Sequence, residues 1–182
     1  MLYIMRHGRT DWNVQYRLQG SEDIPLNEEG RKMARDAAET YQDIPLDICF
    51  VSPLSRARET AEIFLEKRGI PVVVDERLRE MCFGGYEGMD HIYQKPHLNI
   101  YKMFNDPENY QPDQGAESFE ELFTRTGEFI REVVTPRLAE GQNILIIGHG
   151  ALNSAIVSQY QKKPLSEFWE SDIENCKLLR LA

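Results

Sequence analysis

Leu2-Tyr3-Ile4-Met5-Arg6-His7-Gly8-Arg9-Thr10-Asp11-Trp12-Asn13 decides how this chain is read. The apolar run 2–6 is short enough for a buried strand and ends on Arg-His-Gly. His7 then stands at the carboxyl end of a strand, where open α/β sheets bind ligands. Arg6 stays charged at every accessible pH and offers a planar fork suited to phosphate. Gly8 allows a sharp turn and leaves room beside the imidazole. A second apolar run, Asn143-Ile144-Leu145-Ile146-Ile147, leads through Gly148 to His149-Gly150. It reads as a central parallel strand that again ends on a histidine.

Working outward, strands are expected at 2–6, 46–51, 71–75, 143–148 and 177–181. Helices are expected at 27–42, 53–67, 118–138 and 150–160. The 118–138 helix has the strongest pattern: Phe119, Leu122, Phe123, Thr126, Phe129, Ile130, Val133 and Val134 recur at helical spacing. Ser118 and Glu121 have the spacing of a capping box, and Asn27 can cap the helix that follows it. Strands alternating with helices imply an α/β fold, a mostly parallel sheet covered on both faces. With 182 residues the chain can bury one good core, so one domain is expected over 1–182. The segment from Asp90 to Gln114 is less regular and holds Tyr93, Tyr101, Phe104 and Tyr110. Such a stretch in a compact domain is often a lid or substrate cover, and the plainer alternative is a surface excursion with aromatics packed on the core.

Arg6-His7-Gly8-x-Thr10-x-x-Asn13 resembles the signature of the histidine phosphatase superfamily, the phosphoglycerate mutase-like proteins. Four further segments follow in the same order as in that family. They are Leu26-Asn27-Glu28-Glu29-Gly30, then Val51-Ser52-Pro53-Leu54-Ser55-Arg56-Ala57-Arg58-Glu59-Thr60-Ala61, then Leu78-Arg79-Glu80-Met81-Cys82-Phe83-Gly84-Gly85-Tyr86-Glu87-Gly88, and finally Gly148-His149-Gly150. Tyr86 stands where the family has Trp, and Gly148 where it usually has a small or hydroxyl residue. Asn153-Ser154 replaces an Arg often found beyond the second His. The resemblance implies an αβα sandwich and a metal-independent phosphoryl transfer that needs no cofactor. By it, His7 is the nucleophile that forms a phosphohistidine. Arg6, Arg56 and His149 hold the phosphoryl oxygens, Asn13 donates a further hydrogen bond, and Glu80 is the general acid. Arg58, two residues from Arg56, points away and is read as solvated; Glu87 is read as solvated or structural.

Composition narrows the partners. A net charge of −9 and a pI near 5.0 argue against non-specific nucleic-acid binding, so an anionic substrate must be drawn by local arginines. Cys49, Cys82 and Cys176 are odd in number and lack metal-ligand spacing. No apolar run is long enough for a membrane span and no leader is evident, so a cytoplasmic setting is the default expectation. The expected substrate is a small phosphorylated metabolite. A cofactor-dependent phosphoglycerate mutase is the alternative within the family. It is disfavoured because 90–114 offers only Lys95 and Lys102 as Lys/Arg cations for a substrate carboxylate. A non-catalytic phospholigand-binding module is the alternative outside it, disfavoured because Arg6, His7, Arg56, Glu80 and His149 are all present. Oligomeric state is not encoded legibly.

Overall fold

The computed structural model describes residues 1–182. In chain order the elements are β1 (Leu2–Arg6), α1 (Asp11–Val14), α2 (Glu28–Thr40), β2 (Ile48–Val51), α3 (Ser55–Leu65) and β3 (Val72–Val74). Short 3₁₀ turns and α4 (Ile100–Asn105) follow, then α5 (Phe119–Phe129), α6 (Thr135–Ala139), β4 (Ile144–Gly148), α7 (Gly150–Gln161) and β5 (Leu178–Arg180). The sheet order is β3-β2-β4-β1-β5, with β1 to β4 parallel and β5 antiparallel against β1.

Alternation along the central strands divides the core in two. Leu2, Ile4, Phe50, Ile144 and Ile146 face one side, where Leu122 and Phe129 of α5 and Leu152 and Ile156 of α7 cover them. Tyr3, Met5, Cys49, Val51, Leu145 and Ile147 face the other, under Ala34 and Ala37 of α2 and Ala57, Ala61 and Phe64 of α3. The result is the expected three-layer arrangement. Cys49 is fully buried there and acts as a small apolar residue, its thiol pushed up by burial.

The helix expected over 118–138 is present with a break in its hydrogen-bonding. The capping box forms, Ser118 Oγ accepting from Glu121 N and Glu121 from Ser118 N. Residues Ile130–Val134 then adopt a π-helical turn. Pro136, in the first turn of α6, has no N–H for the preceding turn, and the Thr135 hydroxyl donates to Ile130 O at 3.0 Å instead. The helix expected from Pro53 starts two residues later, at Ser55, with Leu54 as its N-cap.

Register positions the site. Arg6 pairs with Gly148, and His7 N donates to Gly148 O at 3.0 Å. Val51 pairs with Ile147, and Ser52 N donates to Ile147 O at 3.2 Å. Three strands therefore end at one level, bringing His7, His149 and Ser52 to the same rim of the sheet.

Candidate active site

His7 and His149 are both buried, with ring centroids 5.1 Å apart. His7 Nδ1 lies 2.6 Å from Gly8 O. A carbonyl can only accept, so Nδ1 carries the proton and Nε2 keeps its lone pair. Burial, then Arg56, then Arg6 hold the His7 imidazole well below its usual basicity. The ring is therefore neutral at physiological pH, with its Nε2 lone pair free. The Gly8 turn is itself held: Gly8 N donates to Thr60 Oγ1 at 2.9 Å, and the Thr60 hydroxyl donates to Arg56 O at 2.6 Å. A Cβ on Gly8 would sit 2.6 Å from Gly30 O, and one on Gly30 would run into Arg9 O. Gly30, which by sequence only opens a helix, thus lets α2 seat directly against the loop carrying His7.

Arg56 lies on the first turn of α3 and is fully buried. It donates to Gly20 O at 2.8 Å and to Glu22 O at 2.7 Å, while its Nε has no partner. Burial lowers its pKa to about 10, so it remains charged at neutral pH. The Gly20–Ser21 loop that receives it is strapped by Glu87, which accepts from Ser21 N at 2.8 Å and Phe83 N at 2.9 Å. Glu87 is therefore structural, and Arg58 is exposed as expected. Arg6 reaches the cleft from β1, with one NH group 3.0 Å from Asp172 Oδ1 and 3.3 Å from Ile173 O; its Nε is buried without a partner.

His149 is the N-cap residue of α7. Its Nε2 lies 2.7 Å from Ser52 Oγ, and its Nδ1 is buried without a partner. Burial, Arg56, His7 and Arg6 lower its pKa well below the ordinary value. This favours the neutral ring, and in the tautomer where Ser52 donates to Nε2 an Nδ1–H is left as an unused donor. Glu80 approaches from the loop after β3 and closes the site. One oxygen accepts from Met81 N at 2.8 Å and Leu152 N at 2.9 Å, the other from Ala151 N at 3.2 Å. Burial raises its pKa, opposed by these amides and by Arg56 and Arg6. A carboxyl poised this way can both give and take a proton.

Asn13 lines the cleft, its Oδ1 taking the Thr10 amide at 3.1 Å, which leaves its amide NH₂ unpaired. The cleft measures about 240 Å³. Arg6, His7, Asn13, Arg56 and Glu80 form its inner end, and Leu18, Phe83, Ile92, Tyr93, Phe104 and Trp169 its outer walls. No group of three or more His, Cys, Asp or Glu side chains is placed to hold a metal ion. No helix is long and apolar enough to cross a membrane.

Arg6, His7, Asn13, Arg56 and Glu80 thus line one crevice, with His149 buried beside His7 rather than in the lining itself, and a sequence profile of the histidine phosphatase superfamily (branch 1) matches residues 2–182. The chain belongs to this superfamily. A phosphatase of Bacillus subtilis strain 168, named as uncharacterized phosphatase PhoE, is 36% identical over 86% of this chain and 75% of its own length. A 2,3-bisphosphoglycerate-dependent phosphoglycerate mutase of Gloeobacter violaceus is 29% identical over 97% of this chain and 82% of its own. The solved structure of Bacillus stearothermophilus YhfR superposes with a TM-score of 0.87 at 34% identity, covering 97% of this chain and 88% of that one.

As a histidine phosphatase superfamily member, the chain departs from the family pattern at two places that the packing explains. A Cβ on Gly148 would lie 2.5 Å from Asn153 Oδ1 and 2.6 Å from Leu152 Cδ2. Asn153 fills that space and donates to Met5 O at 3.1 Å, tying α7 to β1 below both histidines. Tyr86 buries its ring and donates to Asp113 at 2.7 Å, anchoring the 90–114 segment. Ser52, Thr60 and Asn175, which donates to His7 O at 2.7 Å, were missed by sequence reasoning. Ser52 carries a signal, since it follows β2 just as His7 follows β1; Asn175 carries none, being 168 residues from its partner.

Proposed function

We propose that this protein is a metal-independent phosphomonoesterase acting on a small phosphorylated metabolite through a phosphohistidine on His7. The observation that carries the proposal is the 2.6 Å contact of His7 Nδ1 with Gly8 O, which frees Nε2, beside two guanidinium groups. In the first step the Nε2 lone pair attacks phosphorus, and the ester P–O bond breaks in line. Glu80 gives its proton to the departing oxygen. Arg6, Arg56, His149 and Asn13 hold the three remaining oxygens, where charge redistributes. In the second step Glu80 takes a proton from water as the water oxygen bonds to phosphorus. The P–N bond breaks and returns its electrons to His7. The Asp90–Gln114 segment, which contributes Ile92, Tyr93 and Phe104 to the cleft, acts as the cover of the one catalytic domain.

Hydrolysis is favoured over mutase activity by the cleft's charge. Beyond Arg6 and Arg56 its only cation is Arg17, out at the rim. A mutase must hold the carboxylate of a second phosphoglycerate and keep water out. The test is phosphate release from a panel of phosphomonoesters in EDTA, beside 3-phosphoglycerate with and without 2,3-bisphosphoglycerate. Hydrolysis lost in His7→Ala, with an acid-labile phosphoenzyme in the wild type alone, is the expected result. Isomerisation of phosphoglycerate without hydrolysis would make the protein a mutase. Phosphate binding with neither activity would make it a binding module.

A further inference from the structure

We propose that Asp172 determines specificity, making the outer half of the cleft favour leaving alcohols that end in a cation over those that end in a carboxylate. This rests on the phosphomonoesterase reading and adds the chemical class of the substrate. Asp172 follows the 3₁₀ segment Leu165–Ser171, which also carries Trp169, so one stretch of chain supplies a carboxylate and an aromatic face to the same wall. Asp172 Oδ1 binds one NH group of Arg6 at 3.0 Å, and the adjacent Ile173 carbonyl accepts from that same group at 3.3 Å. The other terminal NH₂ of Arg6 has no protein partner and is free for the phosphoryl group. Arg6 is thus shared between the phosphate on one edge and Asp172 on the other. The Asp172 side chain keeps about half of its exposure, 49%, so it is open to whatever the phosphate carries with it.

The surroundings favour a positive terminus. Phe104 stacks on Trp169 with ring centroids 4.9 Å apart, and Tyr93 meets Phe104 edge-on at 5.1 Å. The Trp169 indole N–H is already donated to Met103 O at 2.7 Å, so this residue offers its ring and not a donor. An aromatic wall beside a carboxylate suits an ammonium group, which gains from both the ring faces and the opposite charge. No lysine lines the cleft, and Arg17 lies over the Trp12 ring at 5.8 Å. A carboxylate two carbons from the phosphate would come near Asp172, with the rim residue Arg17 the one outer cation to offset that repulsion.

Three phosphomonoesters of equal backbone test this: phosphoethanolamine, ethylene glycol monophosphate and phosphoglycolate, ending in ammonium, hydroxyl and carboxylate. Values of kcat/KM are compared for wild type, Asp172→Asn and Asp172→Glu, with p-nitrophenyl phosphate as a general reporter. The wild type should prefer phosphoethanolamine to phosphoglycolate. Asp172→Asn should shift that ratio about tenfold towards phosphoglycolate, as expected for one charge at moderate distance in a half-solvated site. Asp172→Glu should restore it. A mere change in how Arg6 is held would scale all substrates together and leave the ratio alone. A ratio unchanged within twofold, with p-nitrophenyl phosphate still hydrolysed, would overturn the assignment of Asp172 and leave the phosphatase standing. No hydrolysis of any ester by folded wild type would overturn both. Should Asn disturb the fold, the smaller Asp172→Ser makes the same comparison.

Discussion

Replacing Arg56 with Met removes a buried charge while keeping much of the side-chain volume. In the folded protein the guanidinium donates to Gly20 O and Glu22 O. Stranding two carbonyls costs about 1–3 kcal/mol each. Abolishing a buried cation returns several kcal/mol of desolvation. The two effects oppose, so Arg56→Met should stay folded with a net loss on the order of 2 kcal/mol. Function has no such compensation. Losing one preorganised donor to a developing oxyanion costs about 2.7–4 kcal/mol, or ~10²–10³ in rate. Phosphate at a hundred times its dissociation constant stabilises the wild type by about 2.7 kcal/mol; a hundredfold weaker site leaves only ~0.4 kcal/mol. The variant also changes the pH profile. Arg56 is the largest charge effect lowering both His7 and His149, so both should become more basic and the acid limb of kcat/KM should move to higher pH. The assays are kcat/KM against pH with p-nitrophenyl phosphate, and thermal melting with and without phosphate. A loss below tenfold with an unmoved acid limb would refute this account and make Arg56 a packing residue.

Glu80→Gln should lower kcat for an alkyl phosphate by about 10²–10⁴ and for p-nitrophenyl phosphate by far less, since nitrophenolate leaves without a proton; equal losses would remove Glu80 as the acid. Gly148→Ala should destabilise by about 1–3 kcal/mol through overpacking against Asn153 and Leu152. Asn153→Ala in the same chain should recover part of that in a denaturant double-mutant cycle, and strict additivity would contradict the packing. For acid stability, the unfolded chain takes up protons near the ordinary histidine pKa of about 6.5, while buried His7 and His149 take them up only well below it. Stability is therefore complete above that pH and lost as pH falls towards the folded-state values, by up to ~1.4 kcal/mol per pH unit for each histidine. Urea unfolding of wild type and His149→Asn between pH 7.5 and 5 checks this; the variant should show the shallower slope.

Much of the site was legible before folding was considered. His7, Arg56 and His149 each follow a strand or open the helix after it, and parallel strands in an α/β sheet end together, so chain position predicted their meeting. Glu80 was different. No periodicity places it, and only the flanking family motif singled it out. Its position depends on three backbone amides, two of them from α7, that hold its carboxylate against the helix start. By local pattern Gly30 only opens a helix, because its close approach to the Gly8–Arg9 loop leaves no trace in neighbouring residues.

Local sequence determined what repeats locally: strand and helix types, which follow side-chain periodicity, and the caps at Asn27 and Ser118, which need only neighbours three residues away. Tertiary structure alone decided what rests on distant partners. The tautomer-fixing Gly8 turn leans on Thr60, Arg6 donates to Asp172, and Asn153 fills the space above Gly148. Those relations join residues far apart in the chain, and their energies arise from burial and close packing that exist only once the sheet has assembled.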